Sequence, residues 1–274
     1  MRKENMISSF RLIEAFQDTQ KRIREDEELK KRTLHLQAET RLYLGGFDAI
    51  EPSVKRETPK IAVSEDTTFH CAQSCMQEGE KTAVLNFANA YSPGGGVGNG
   101  AMAQEECLCR SSNLYASLTI PYLLKNYYKW NSKNTGDMGS DAVIWSPDVT
   151  VFKSDDAIPV ELENWFQVNV LTCAAPYYDP DKRKPVSFEK LEQVFCERIK
   201  NILEVAAAMD TDILVLGAFG CGAFNNPPDL VAGAFRQLLI RRGYGRFFRK
   251  VIFAIKKNNA QNTNLIAFQN AFRD

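Results

Sequence analysis

The chain divides by the rhythm of its apolar positions. Residues 1–38 carry Phe10, Leu12, Ile13 and Phe16, followed by the charged tract KRIREDEELKKR. That spacing predicts one or two exposed amphipathic helices laced by charge pairs. From about residue 39 short apolar runs alternate with helical patterns. The runs predict strands at Arg41–Leu44, Lys60–Val63, Ala83–Ala88, Ala142–Ile144, Val168–Cys173, Ile213–Gly217 and Val251–Ile255. The helical patterns predict helices at Asp66–Met76, Gln104–Leu118, Phe188–Ala208 and Pro228–Arg241. Several strand candidates are apolar on consecutive residues, as in a sheet covered by helices on both faces. The expected fold is α/β, a three-layer α/β/α sandwich around a mixed sheet. It spans 39–274, with residues 1–38 as a helical extension packed on the core.

Gly and Pro clusters fall just after strand ends, at YSPGGG, AAPYYDPDKRKP and GAFGCGAFNNPP. Open α/β sheets bind ligands outside the C-terminal ends of their strands, so these three loops are the expected walls of a site. Composition narrows its chemistry. With 34 basic against 34 acidic residues, no global field argues for a nucleic-acid surface, and a polyanionic ligand would have to be held locally. No apolar run approaches the roughly 20 residues of a membrane span and no signal-peptide core opens the chain, which predicts a cytoplasmic protein. Seven cysteines and two histidines, His35 and His70, complete no zinc spacing, so no metal site is expected and the thiols read as free. So few histidines also leave acid–base work to carboxylates.

The strand candidate Ala83–Ala88 runs into a loop with glycine at 94, 95, 96, 98 and 100, and that loop opens onto Gln104, Glu105 and Glu106. No Lys-Ser/Thr pair follows the glycines, and Asn99 breaks a GxGxxG register, so neither a P-loop nor a dinucleotide fingerprint is present. A flexible surface loop would also be glycine-rich. Against that reading stand the strand before it, the acidic helix start after it and a second loop of small residues, Gly217 to Pro228. That second loop can form a nest of N–H groups for phosphate, with Phe224 offering its face to a ribose or base, or it can be a plain turn with Phe224 in the core. Adjacent glutamates diverge by about 100° on a helix, so Glu105 and Glu106 are not expected to share one task. Taken alone, such a pair is more often first-turn acid favoured by the helix dipole.

Asn86-Phe-Ala-Asn89 followed by Gly94-Gly-Gly96-Val97 resembles the NxxN…GGGV segment of macrodomains, which bind ADP-ribose. Gly94–Gly96, seven residues, then Gln104-Glu105-Glu106 resembles the GGG-x(6–8)-QEE signature of poly(ADP-ribose) glycohydrolases, and the GAFGCGAF loop is similar to the macrodomain diphosphate loop. The CRSSNLY continuation and the N-terminal helices resemble the bacterial-type subfamily. The likeness covers most of the chain from about residue 39 onward, while residues 1–38 and 120–165 carry much less of it.

The resemblance implies a macrodomain-like fold, no cofactor and mainly exo-type hydrolysis of ribose–ribose bonds in poly(ADP-ribose), releasing ADP-ribose. It assigns Glu106 as acid/base and Glu105 to ribose hydroxyls. Asn89 is assigned to the terminal ribose, and Gly94, Gly95, Gly96 and Val97 to that ribose and its phosphate. Gly220, Cys221 and Gly222 are assigned to the diphosphate, Phe224 to packing on the substrate, and Gln104 to a supporting structural part. Asp66 stands between adenine recognition and a helix cap. Partners implied are poly(ADP-ribose) or ADP-ribosylated macromolecules, with no membrane and no direct evidence for nucleic acid. Two alternatives stay open: an ADP-ribose reader without turnover, and a hydrolase of single ADP-ribose units on protein or nucleic acid.

Overall fold

The computed structural model describes residues 2–45, 60–76, 79–183, 185–256 and 262–273. Lys184, inside the predicted AAPYYDPDKRKP wall, lies outside the described residues. Seven strands form one mixed sheet: β1 (Arg41–Tyr43), β2 (Lys60–Ser64), β3 (Thr82–Ala88), β4 (Val143–Lys153), β5 (Glu161–Ala174), β6 (Ile213–Leu216) and β7 (Lys250–Ala254), in the order β1-β4-β5-β3-β6-β7-β2. The five strands from β5 to β2 run parallel, while β4 is antiparallel to both its neighbours.

Because side chains alternate across a strand, successive residues feed two cores. Ala83 and Leu85 point to a core closed by α8 (Phe188–Ala208), α9 (Pro228–Arg236) and α10 (Thr263–Ala271). Val84 points to the opposite core, closed by α3 (Thr68–Cys75), α4 (Gln104–Ser111) and α5 (Leu114–Leu118) with the N-terminal helices α1 (Arg2–Glu25) and α2 (Glu27–Glu39). The helix α6 (Pro121–Leu123), a π-helical turn at Leu124–Tyr128 and α7 (Lys129–Asn134) also cover that face, burying Leu123, Tyr127 and Tyr128. The expected three layers are all present. Among the described residues no helix is long and apolar enough to cross a membrane.

Three departures from the sequence reading have physical causes. The single helix expected over Gln104–Leu118 is two, broken where Ser112 turns extended (φ −149°, ψ 179°) to bridge Val151. Asn113 locks the break. Its amide donates to Thr150 O, its Oδ1 accepts from Thr150 N at 2.8 Å, and its Nδ2 donates to Thr33 Oγ1 at 3.0 Å. Asn and Ser can exchange helix bonds for such local ties. The strands expected at Ala142–Ile144 and Val168–Cys173 extend into a long hairpin, β4–β5. Pro147 and Asp148 hid its continuity: the register shifts between Ser146 and Val149, and Asp148 takes φ +51°. Finally, the helices over 121–134 and α10 have no counterpart in the sequence reading.

The N-terminal helices pack directly behind the loop after β3. Phe16 meets Tyr115 edge-on at 5.0 Å, and a Cβ on Gly94 would lie 2.8 Å from the Tyr115 ring. Thr19 Oγ1 donates to Arg110 O at 2.5 Å, and a Cβ on Gly100 would strike Ser9 O. At the far end Arg22 lies over the Phe152 and Trp165 rings.

Replacing fully buried Asn113 with alanine leaves the Thr150 N–H without its acceptor, and we expect Asn113→Ala to lower unfolding free energy by about 2–4 kcal/mol in urea titration. A loss under half a kcal/mol would show that the break is held by something else.

Candidate active site

The C-terminal ends of the parallel strands open one cavity of about 580 Å³, within the range of small-ligand pockets. Its walls come from the loops after β3, β5, β6, β7 and β2. Asn89, Glu105 and Glu106 stand on one side, Gly220, Gly222 and Phe224 on another, and Asp66, Ile255, Lys256 and Asn264 on a third.

α4 brings the carboxylates there, and Gln104 fixes α4. Its Oε1 accepts from Phe87 N at 2.9 Å, while its Nε2 donates to Leu85 O (2.8 Å) and Thr68 Oγ1 (3.0 Å), pinning the helix start to β3 and α3. Glu105 and Glu106 therefore sit in the first helical turn, where the dipole favours acids, yet both are buried, 3% and 7% exposed. The loop in front of them answers with amides. Gly96 N donates to Glu106 Oε1 at 2.8 Å, Asn89 N donates to Glu105 Oε2 at 2.8 Å, and Gly94 adds a backbone bond to Glu105. Asn86 Nδ2 reaches Glu105 Oε1 at 3.4 Å. Glu106 Oε2 has no partner among the described residues.

This closeness explains a glycine. Gly95 takes φ +57°, and a Cβ there would lie 2.5 Å from Glu106 Oε1 and 3.1 Å from Glu105 Oε2. Any side chain would collide with a carboxylate. Burial pushes the Glu105 carboxyl up to about 8; the nearby Glu106 charge adds to the rise, against the pull of the Asn89 amide.

The structure brings most of the expected residues together and sets some apart. Gly94–Val97 do not line the cavity; the loop stands behind the carboxylates and Val97 is buried in the core. Asn89 lines it, with its Oδ1 accepting from Tyr91 N and Ser92 N and so shaping the turn. Gly220 and Gly222 line it. Cys221 does not: its amide donates to Ala218 O, and burial pushes its thiol up to about 12. Gly220 (φ +74°) is wedged against Ala175 and Asn226, where a Cβ has no room. Asn226 Nδ2 knits the loop to Pro176 O and Gly220 O. Phe224 is half-buried at the rim, edge-on to Tyr177 at 6.4 Å.

Asp66 lines the cavity but is not the N-cap of α3, a position held by Thr67; its Oδ1 accepts from Thr67 N and meets His70 Nδ1 at 2.6 Å. The first turn of α3 is served from a distance. Asp155, from the end of β4, accepts from Phe69 N and Thr67 Oγ1, both at 2.7 Å. Sequence reasoning missed Asp155, Lys256 and Asn264, which no local motif marks. Among the described residues no group of three or more His, Cys, Asp or Glu could hold a metal ion, and all seven cysteines are free.

Residues 11–154 match the family model of the microbial-type PARG catalytic domain, PARG being poly(ADP-ribose) glycohydrolase. The crystal structure of the glycohydrolase from Thermomonospora curvata is 32% identical, with 95% of this chain and 99% of that one covered and a TM-score of 0.83. The chain belongs to the microbial-type PARG family. The same T. curvata enzyme bound to the inhibitor ADP-HPD matches at 31% identity, the same coverage and a TM-score of 0.80. A Deinococcus radiodurans PARG in complex with ADP-ribose matches at 35% identity, with 87% of this chain and 96% of that one covered and a TM-score of 0.74. No curated protein matches the sequence. The fold is thus the macrodomain-like one of the PARG structures, and the family match begins inside α1.

A carboxyl raised by burial ties stability to pH. The folded chain keeps a proton on Glu105 that the unfolded chain releases, so stability falls as pH rises from about 4.5 to about 8 and levels off above. Glu105→Gln mimics the protonated form. Its thermal stability relative to the parent is expected to climb across that window by an amount on the order of a few kcal/mol. Parallel curves for the two proteins would contradict the raised value.

Proposed function

We propose that the chain hydrolyses the ribose–ribose O-glycosidic bonds of poly(ADP-ribose), mainly from the chain end, with Glu106 as the acid and base. The observation that carries the assignment is the unequal state of the two glutamates. Glu105 has both oxygens engaged, by Asn89 N and Asn86 Nδ2. Glu106 is held through Oε1 alone, and its buried Oε2 is unpartnered beside the cavity. A buried oxygen without a partner is costly, and a substrate hydroxyl at that position would satisfy it.

In this reading Glu106 Oε2 gives a proton to the leaving ribose oxygen as positive charge develops on the anomeric carbon. The resulting carboxylate takes a proton from the water that completes hydrolysis. Most glycosidases divide these tasks between two separated carboxyls. Here one residue performs both, with its Oε1 fixed by Gly96 N–H so that the proton moves along one line. The substrate's own diphosphate, held along Gly220, Gly222 and Phe224, would offset the developing cation. Glu105, neutral through pH 7, adds no negative charge to a site that must accept a dianion, and it orders Asn89 for the terminal ribose. Gly94–Val97 act from behind by holding the two carboxyls. Exo-type cleavage is supported by the cavity's size, suited to one ADP-ribose unit.

Release of ADP-ribose from automodified polymer tests the assignment. Glu106→Ala is expected to lower kcat by about 10²–10⁴-fold, while ADP-ribose still binds in calorimetry. Full turnover in that variant would overturn the role of Glu106. Tight ADP-ribose binding with no turnover by the parent chain would make it a reader.

A further inference from the structure

The charge balance of the whole chain conceals a local imbalance. Between Glu106 and Asp137 there is no acidic residue, and the segment contains Arg110, Lys125, Lys129 and Lys133. Arg110 is fully buried and donates to Ala101 O. The three lysines are not. They lie along the helical segment 121–134, which buries Leu123, Tyr127, Tyr128 and Asn131 and leaves Lys125, Lys129 and Lys133 exposed. Spacings of four residues align them on one side, about 12 Å from first to last. None of them takes part in an ion pair among the described residues. Two large aromatic rings accompany them, Tyr122 before Lys125 at 56% exposure and Trp130 between Lys129 and Lys133 at 49%.

The segment ends in a turn tied to residues next to the cavity wall, although none of its own residues lines the cavity. The turn Gly136–Met138 follows it, and Gly136 O accepts a hydrogen bond from Tyr91 OH. Tyr91 stands two residues after Asn89, whose own amide holds Glu105, and its N–H donates to Asn89 Oδ1. On the other side of the turn, Asp137 O accepts from Tyr177 N at 2.9 Å, and the Tyr177 ring meets Phe224 at the cavity rim. Tyr91 and Tyr177 are both partly exposed. A row of cations without an ion pair among the described residues, with exposed rings beside it, therefore leads away from a turn that Tyr91 ties to the Asn89 side of the cavity and Tyr177 to the Phe224 side.

We infer that this face is a second binding surface, one that takes the body of the poly(ADP-ribose) chain beyond the unit in the cavity. The inference rests on the hydrolase reading above. Its physical basis is complementarity: the polymer carries phosphates and adenine rings, and lysines with aromatics beside them suit that pairing as they suit single-stranded nucleic acids. The link from the segment through Tyr91 to Asn89, whose amide holds Glu105, favours the polymer, because the chain left after terminal cleavage departs from the glutamate side. Tyr122 and Trp130 stack adenines, and Lys125, Lys129 and Lys133 neutralise phosphates. The consequence is preference for long chains, created outside the catalytic pocket.

The test measures binding apart from turnover, in a Glu106→Ala background. A Lys125→Ala/Lys129→Ala/Lys133→Ala variant is expected to bind long polymer about tenfold or more weakly at low salt, with its salt slope reduced by about 2, at about 0.7 per phosphate contact. Free ADP-ribose should bind as before, and thermal unfolding should not move, since all three side chains are exposed. Trp130→Ala should weaken polymer binding without changing the salt slope. With Glu106 restored, the lysine variant should show a raised KM for long chains and an unchanged kcat and KM for a two-unit substrate. Equal affinity of parent and variant for long polymer would overturn the inference, as would equal losses for polymer and ADP-ribose. Single-stranded DNA bound as tightly as polymer, and released by the same substitutions, would also overturn it, marking a nucleic-acid surface instead. Absence of turnover in the parent chain would count against the hydrolase reading alone, because the binding comparison does not need turnover.

Discussion

The structure depends on keeping two adjacent carboxyl groups out of water beside a cavity. A buried ionised carboxyl is costly unless hydrogen-bonded or protonated, and this protein uses both remedies. Amides of Gly94, Gly96 and Asn89 converge on Glu105 and Glu106, and Glu105 keeps its proton to about pH 8. Much of the surrounding architecture follows. The loop must approach so closely that Gly95 has no room for a Cβ, α4 must start where Gln104 pins it, and β3 must end where Asn89 can offer its amide. The glycine-rich loop is thus a cradle of amide donors already filled by the protein's own carboxyl groups.

That point marks where sequence reasoning reached and where it stopped. The parallel strands were legible as apolar runs, since both faces of the sheet are covered, and Phe188–Ala208 was legible to the residue. The QEE segment was legible as chemistry. The orientation of the loop amides was not, because glycine identity reports backbone freedom without saying what the backbone faces. The kink at Ser112–Asn113 and the β4–β5 hairpin escaped for a related reason. Each is decided by partners far along the chain, Thr33 and Thr150 for Asn113, and by a bulge at Asp148 that breaks the two-residue alternation. Asp155 is the extreme case, an aspartate that serves the start of α3 from 86 residues away.

In the proposed reading the cavity is one in which a chain without net charge accepts a dianionic ligand. Its acids are internally occupied: Asp66 by His70 and the Thr67 amide, Asp155 by α3, Glu105 by a proton and the loop. The loop after β6 presents small residues and backbone in place of a cation cluster, with Lys256 on the far wall. Fixed dipoles of this kind hold a diphosphate at a defined position without the screening and mobility of long charged side chains.

The position of α1 carries a consequence for how the chain can be read from its motifs. Ser9 closes on Gly100, Phe16 and Tyr115 bear on Gly94, and Thr19 holds the carbonyl of Arg110 at the back of α4. A shortened form starting after this helix would retain every residue of the NxxN, GGG and QEE segments and the loop after β6. It would lack the wall against which the first glycine loop is pressed. Completeness of the active site in this protein is therefore a property of the packing behind the motifs as much as of the motifs, and a scan for signature residues alone would count an unsupported site as an intact one.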